Sequence, residues 1–484
     1  MTPDRRSLLA LTGALLAGGA GCTSDGANGG SDDTDGDDDP DPDGTDTGDA
    51  DGDDGPFGRE APDFPRIDPV TDPDIEIDAL AQQVRGNVAF SLEALAQLRA
   101  DEPDNNLFFS PYSISVALAM TYAGARGETA EEMADALRYD LEGEELHAAF
   151  GALEDEFERR NEDGAEVETP EWTDDGENDD DEDEDDLGFQ LSSANAVWAE
   201  QTYPFDDDYL DLLEAYYGAG EHVVDFRDSP EQARQEINEW VESRTNDRIE
   251  DLLPEGSIDE ATRLVLTNAV YFLAAWEYEF DQAGTEPKPF TSLDGTESEV
   301  RMMSQVEEFR YAEVDGHQLV ELPYANGETS MIVVCPAEGE FEAFEESFSV
   351  DRLAIMLEET WRPEVDLELP KFGIESSFSL VDVMQELGME RAFAGSADFT
   401  GMVDGDDELL AIDDILHESF LEVDEDGTEA AAATAVVVED TAESQTERVE
   451  MTVDRPFLFY VRDQPTETPL FVGRVVDGET LEAE

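Results

Sequence analysis

Side chains able to do covalent chemistry are scarce in this chain of 484 residues. It has four histidines (His147, His222, His317 and His417) and two cysteines, Cys22 and Cys335. No Gly-x-Ser-x-Gly elbow lifts a nucleophile off a strand, no His-Glu-x-x-His pair offers two imidazoles to zinc, and no glycine-rich loop cradles a phosphate. Asp39-Pro40-Asp41-Pro42-Asp43-Gly44 has the carboxylate rhythm of a calcium loop. Its twelfth position, however, is Ala50 where a bidentate glutamate is needed, and its prolines do not suit the turn. These patterns point away from enzymatic turnover, and no metal or cofactor is expected.

One stretch offers mechanical rather than covalent chemistry. Glu425-Asp426-Gly427-Thr428-Glu429-Ala430-Ala431-Ala432-Ala433-Thr434 follows an alternating run, Phe420, Leu421 and Val423, that reads as a strand. Alanine favours helix over strand, so four in a row beside a strand leave the local preference undecided. With a period of two, Thr428, Ala430, Ala432, Thr434, Val436 and Val438 share a face that is small or β-branched throughout. Such a face can slide between existing strands without steric clash. The segment can therefore exist as an exposed loop or as a buried strand. His417, in Ile415-Leu416-His417-Glu418-Ser419, sits on the strand leading into it.

Charge fixes the setting. Lys+Arg total 26 against 126 Asp+Glu, a formal net charge of −100. A nucleic-acid partner is excluded, because phosphate neutralisation needs a basic surface. Self-repulsion on this scale opposes any compact state, and molar salt, with a Debye length of about 3 Å at 1 M, removes it. Global disorder is the other answer, but 39% hydrophobic residues falling in patterned runs argue against it. A halophilic source is expected.

Residues 1–22 read as a targeting segment: Arg5-Arg6-Ser7-Leu8-Leu9 has a twin-arginine pattern, and an apolar run too short to span a bilayer precedes Gly19-Ala20-Gly21-Cys22. Cys22 is the expected lipidation site, with Gly19 standing where a leucine-like residue is usual. The protein is then exported, lying outside the cell or held on the outer face of the cytoplasmic membrane by that lipid alone. Residues 23–70, rich in Asp, Gly, Thr and Pro up to about Pro62, read as an acidic disordered tether. Residues 161–186 form a second acidic insertion. Cys335, in an apolar run, is expected to be a buried hydrophobe with no disulfide partner.

The 425–434 stretch resembles the hinge of the reactive-centre loop of serpins. So do other motifs, in the family's order: Asn106-Leu107-Phe108-Phe109-Ser110-Pro111-Tyr112-Ser113-Ile114, Leu266-Thr267-Asn268-Ala269-Val270-Tyr271-Phe272 with Trp276 and Phe280, Leu369-Pro370-Lys371-Phe372, Asp454-Arg455-Pro456-Phe457-Leu458-Phe459, and Pro469-Leu470-Phe471-Val472-Gly473-Arg474-Val475. Together they span roughly residues 80–478. The resemblance implies an α+β domain over 71–484, with three β-sheets, eight to nine helices and an exposed hinge and reactive-centre loop at 425–447. It implies a monomeric, non-enzymatic suicide inhibitor of a secreted serine protease. Counting the family's spacing from Glu425 places the reactive bond between Thr441 and Ala442, anywhere in 438–445 remaining open. A small, uncharged Thr441 suits an elastase-like or subtilisin-like target better than a trypsin-like one. The resemblance also places Ser110, Ser113, Asn268 and His417 together where the central sheet must part, and Trp276 near the point where insertion starts. A non-inhibitory binding or storage protein of the same fold is the alternative.

Periodicity supplies the elements. Helices are expected at 77–98, 114–123, 129–137, 141–159, 209–217, 232–249, 341–344, 350–358 and 378–387. The second is capped by Ser110 with Pro111 at its first position. Strands are expected at 187–198, 264–272, 300–303, 309–314, 318–322, 331–334, 365–369, 457–461 and 470–476.

Overall fold

A computed structural model describes residues 56–71, 73, 75–164, 189–193, 195–202, 204–218, 222–245, 249, 251–403, 410–412, 414–428 and 447–481. Cys22, Ala430, Ala431, Ala432, Ala433, Thr434, Thr441 and Ala442 lie outside the described residues, as does most of the 161–186 insertion.

The first part of the chain is helical: α1 (Ile77–Asp101), β1 (Leu107–Phe109), α2 (Pro111–Tyr122), α3 (Gly127–Leu137) and α4 (Glu144–Gly164). Next come β2 (Phe189–Ser193), β3 (Ala196–Glu200), α5 (Asp207–Tyr217), β4 (His222–Val224), α6 (Pro230–Arg244), β5 (Leu264–Thr267) and β6 (Ala269–Ala275). The middle is a run of strands, β7 (Glu286–Thr291), β8 (Glu297–Glu308), β9 (Arg310–Val314), β10 (His317–Pro323) and β11 (Thr329–Cys335). Then follow α7 (Phe341–Glu346), α8 (Val350–Glu358), β12 (Glu364–Pro370), β13 (Phe372–Ser379), α9 (Val381–Glu386), β14 (Leu416–Val423) and β15 (Gly427–Thr428). β16 (Arg448–Thr452), β17 (Phe457–Asp463) and β18 (Pro469–Val475) close the fold.

The local causes are readable. Ser110 caps α2, its hydroxyl accepting from Ser113 N–H with Pro111 just inside, and α2 is buried on nearly every side. Asp206 caps α5 and Ser349 caps α8 in the same way. β11, β17 and β18 are buried along their whole lengths. They form the centre of a six-stranded sheet, β1-β18-β17-β11-β10-β9. Buried charges at the end of β17 are paired: Arg462 with Glu321 at 2.7 Å and Asp463 with Arg160 at 2.7 Å. Cys335 lies in β11, fully covered, and burial pushes its thiol up to about 11.

A four-stranded sheet, β16-β12-β8-β7, stands beside a five-stranded one, β13-β14-β15-β6-β2, and a three-stranded one, β4-β3-β5. The expectation was three sheets, and four are found among the described residues. The reason is local: β5 runs into β6 and β2 into β3, but their ladders break at Asn268 and near Asn195, dividing one central sheet into two parts. Ile237 of α6 shares an apolar cluster with Ala196, Trp198 and Val224 of the three-stranded part, and Trp240 and Leu416 pack against it.

Three further expectations need correction, the first being the helix read at 232–249, which ends at Arg244. The helix read at 378–387 is only Val381–Glu386, and Phe378 and Ser379 belong to the end of β13 instead. Phe372, Ile374 and Ser376 alternate inward against β14, a period-two signal hidden by the 3.6-residue spacing of the apolar positions after it. The tether read as reaching residue 70 stops sooner. From Pro56 the chain is docked: Phe57 lies 4.3 Å under the Arg352 guanidinium, Arg59 pairs with Glu359 at 2.6 Å, and Val70 and Thr71 donate to the buried Glu156. Sparse but well-placed apolar and cationic residues suffice to pin a segment whose average composition looks disordered.

Candidate functional site

The seam between β14 and β6 is the unusual feature of the central sheet. At one end the two strands pair directly and in parallel, Glu418 with Ala269 and Ser419 with Val270. At the other end β15 lies between them. Thr428 pairs antiparallel with Val423 of β14, while Gly427 and Thr428 pair antiparallel with Ala275 and Ala274 of β6. The chain leaves β14 at Val423, turns through Asp424–Asp426 and re-enters the sheet beside its own strand. An Asp424 side-chain oxygen closes that turn, accepting from Asp426 N–H at 2.9 Å and Gly427 N–H at 3.1 Å.

Gly427 fits because it lacks a side chain. A Cβ there would collide with the Ala274 carbonyl and the Ala275 backbone. Thr428 is completely buried, its hydroxyl 2.9 Å from the Tyr324 hydroxyl. Tyr324 stacks on Trp276 with centroids 4.6 Å apart and rings 5° from parallel. Trp276 holds the turn twice, its indole N–H donating to Asp424 O and its backbone N–H to Asp426 O, both at 3.0 Å. Phe280 N–H donates to Glu425 O at 2.8 Å.

The turn carries three carboxylates, Asp424, Glu425 and Asp426. Burial works against Glu425's charge, but the Thr285 hydroxyl at 2.6 Å and Lys371 at 3.3 Å outweigh it and hold the carboxyl below its usual range. Asp426 goes the other way: burial, then repulsion from Asp424, raises it. Lys371 is one of two lysines in the sequence, the other being Lys288. Its ammonium serves both Asp424 and Glu425.

At the directly paired end, four of the five sheet-opening residues meet in one network. His417 Nε2 accepts from Ser110 N–H at 3.2 Å, which leaves the proton on Nδ1, 2.7 Å from Asn268 Oδ1. Asn268 Nδ2 donates to Ser113 Oγ at 2.6 Å and to Asn195 Oδ1 at 3.0 Å. Ser110 engages His417 through its backbone, since its hydroxyl caps α2 and donates to Leu470 O. Ser113 reaches His417 only through Asn268. Burial lowers the His417 pKa to about 3, so the imidazole is neutral. The His417–Asn268 bond crosses the seam beside the Glu418–Ala269 pair, and parting the strands must break or exchange it. Trp276 stands apart, eight positions along from Asn268 and next to the turn. Of the hinge residues, Glu425, Gly427 and Thr428 are seated as described; the others lie outside the described residues.

Sequence reasoning missed Tyr324, Thr285, Asn195 and the role of Lys371. Only Lys371 left a signal, because a lysine in a chain of this charge is itself an exception.

A model of the serpin family, described as serine protease inhibitor, matches residues 85–478, most of the chain. The chain belongs to the serpin family. An uncharacterised serpin-like protein of Thermococcus kodakarensis is 39% identical over 375 residues, covering 77% of this chain and 81% of that one. Leukocyte elastase inhibitor A of Mus musculus is 36% identical over 409 residues, covering 82% and 99%. Among solved structures, uncleaved ovalbumin matches with a TM-score of 0.68 at 27% identity, over 81% of this chain and 99% of that one. The fold is thus the serpin fold, α+β with about nine helices and several sheets. The family is typically one of non-enzymatic inhibitors that bind serine proteases.

Proposed function

We propose that this chain is a suicide inhibitor of a secreted serine protease, trapping its target by inserting its own cleaved loop into the central sheet. The observation that carries the reading is β15. Gly427 and Thr428 already occupy the first rung between β14 and β6, in the antiparallel sense an entering strand needs. Ala430, Ala432 and Thr434 continue the face of Thr428 and present no charge or proline to the slot. The protease's serine oxygen attacks the Thr441 carbonyl, forms an ester and releases the amine of Ala442. Freed at that end, the hinge follows β15 inward while β14 and β6 separate.

The driving force is of the right size. About ten new ladder hydrogen bonds at roughly 1 kcal/mol each, with a few buried Thr and Val side chains at about 1–3 kcal/mol each, exceed a typical domain stability of about 5–15 kcal/mol. The uncleaved form is held back by a kinetic barrier.

Thr441 suits an elastase-like or subtilisin-like protease, and the 36% identity to a leukocyte elastase inhibitor supports that class. The twin-arginine pattern and Cys22 support export and attachment by lipid to the outer membrane face, and the charge of −100 supports work in molar salt. The test is to incubate the protein in about 3–4 M salt, a range set by screening, with an elastase and a salt-tolerant subtilisin. An SDS-resistant adduct, with a released fragment beginning at Ala442, supports the reading. Cleavage with no adduct for either protease leaves the non-inhibitory alternative.

A further inference from the structure

Among the described residues few large apolar side chains are left in water, yet two exposed aromatics stand at the two roots of the reactive loop. Tyr278 is 40% exposed and Trp361 41%. Tyr278 sits midway in the 276–280 segment, whose ends bond the hinge through Trp276 N–H to Asp426 O and Phe280 N–H to Glu425 O. Trp361 lies three residues before Glu364, whose N–H donates to Glu447 O at 3.0 Å where the chain returns from the loop. At about 3.3 Å per extended residue, each aromatic is within roughly 10 Å of chain from one root. Both are held from beneath. Tyr278 packs edge-on to the buried Phe309 at 6.0 Å, and Trp361 packs edge-on to the buried Tyr311 at 5.2 Å and exchanges backbone hydrogen bonds with it. Arg362 is exposed and forms no ion pair among the described residues. The bond to Glu277, burial and the Glu277 and Glu307 carboxylates raise the Tyr278 hydroxyl pKa, and the nearby Arg362 works against them.

We propose that Tyr278, Trp361 and Arg362 form a second contact surface for the target protease, covered by its body while its active-site cleft holds the loop. This rests on the inhibitor reading above. The placement argues for that occupant, because the loop leaves and rejoins the fold beside these two aromatics, so a protein that takes the loop comes close to them. The chemistry agrees. Interfaces are enriched in Tyr, Trp and Arg, and their anchors are rigid aromatics near the centre. In molar salt, with a Debye length of about 3 Å, long-range steering is lost, so recognition beyond the loop falls to apolar contact. The complementary surface is an apolar patch carrying a carboxylate for Arg362.

The experiment uses the full chain in molar salt with a salt-tolerant subtilisin, comparing wild type, the double variant Tyr278→Ala/Trp361→Ala, and Arg362→Glu. The rate of adduct formation is measured beside the rate at which the same protease cuts a free peptide of residues 425–447. The proposal expects the double variant to slow adduct formation about tenfold or more and Arg362→Glu to slow it severalfold. The share of encounters ending in adduct should not change. Should Trp361→Ala lower the melting temperature, Tyr278→Ala and Arg362→Glu alone decide. Adduct rates within twofold of wild type overturn the second surface and leave the inhibitor reading intact. Wild-type dimers that the substitutions dissociate overturn it in favour of a second copy of this chain. No adduct from wild type removes both.

Discussion

Gly427 tests the hinge at the level of a single atom. A methyl group there meets the backbone of β6 rather than a movable side chain, so neither partner can give way cheaply. Gly427→Ala should unseat β15 and destabilise the intact protein by about 1–3 kcal/mol, measured by denaturant unfolding in molar salt. His417 gives a pH signature. Its pKa falls from an ordinary 6.5 to about 3 on folding, so between those values the unfolded chain holds a proton that the folded one does not. Stability is therefore full above pH 6.5 and declines toward pH 3, at up to about 1.4 kcal/mol per pH unit. His147, lowered by burial to about 4, contributes in the same window. His417→Gln should make the decline between pH 6 and 4.5 shallower by about one proton's worth, and equal slopes would remove His417 from the account. His417, Ser110 and Asn268 were legible in the sequence because they sit inside motifs that travel together. Tyr324 and Asn195 were not, since a tyrosine between strands and an asparagine among small residues acquire meaning only from what folds against them.

Among the elements, β14 and β15 carry the argument. Alternation in Phe420, Leu421 and Val423 announced β14, and the small-residue face after Thr428 announced a strand in waiting. The sequence could not say that Gly427 and Thr428, at the head of that run, are already in the sheet, because this depends on how far Trp276 and Lys371 draw the turn inward. The end of β13 is ambiguous for a related reason: Phe378 serves equally near the end of a strand or in the first turn of a helix, and only the eight-residue pairing with β14 decides. The inserting face makes its own prediction. Thr434→Arg places a charge where the entering strand must be buried, at a cost large enough to slow insertion. The variant should still be cut by the protease at the wild-type rate but should lose most of its SDS-resistant adduct on gels. An undiminished adduct would mean that Thr434 does not enter the sheet.

The whole molecule has to reconcile a charge of −100 with a stable fold. Carboxylates that repel one another in dilute buffer are screened at molar salt. The melting temperature should rise steeply with NaCl and level off above about 1 M, where the Debye length falls near 3 Å; a flat profile would mean that charge does not limit stability. Within this setting one proposal stands above the others: severing the chain between Thr428 and Glu447 lets the hinge join the central sheet. The direct measurement is calorimetry of the intact protein and of the same protein nicked between Thr428 and Glu447, in identical molar salt. Ten added ladder bonds, worth about 10 kcal/mol in a domain of this size, predict that the nicked form melts about 10–20 °C higher. A nicked form that melts at or below the intact one would contradict the account.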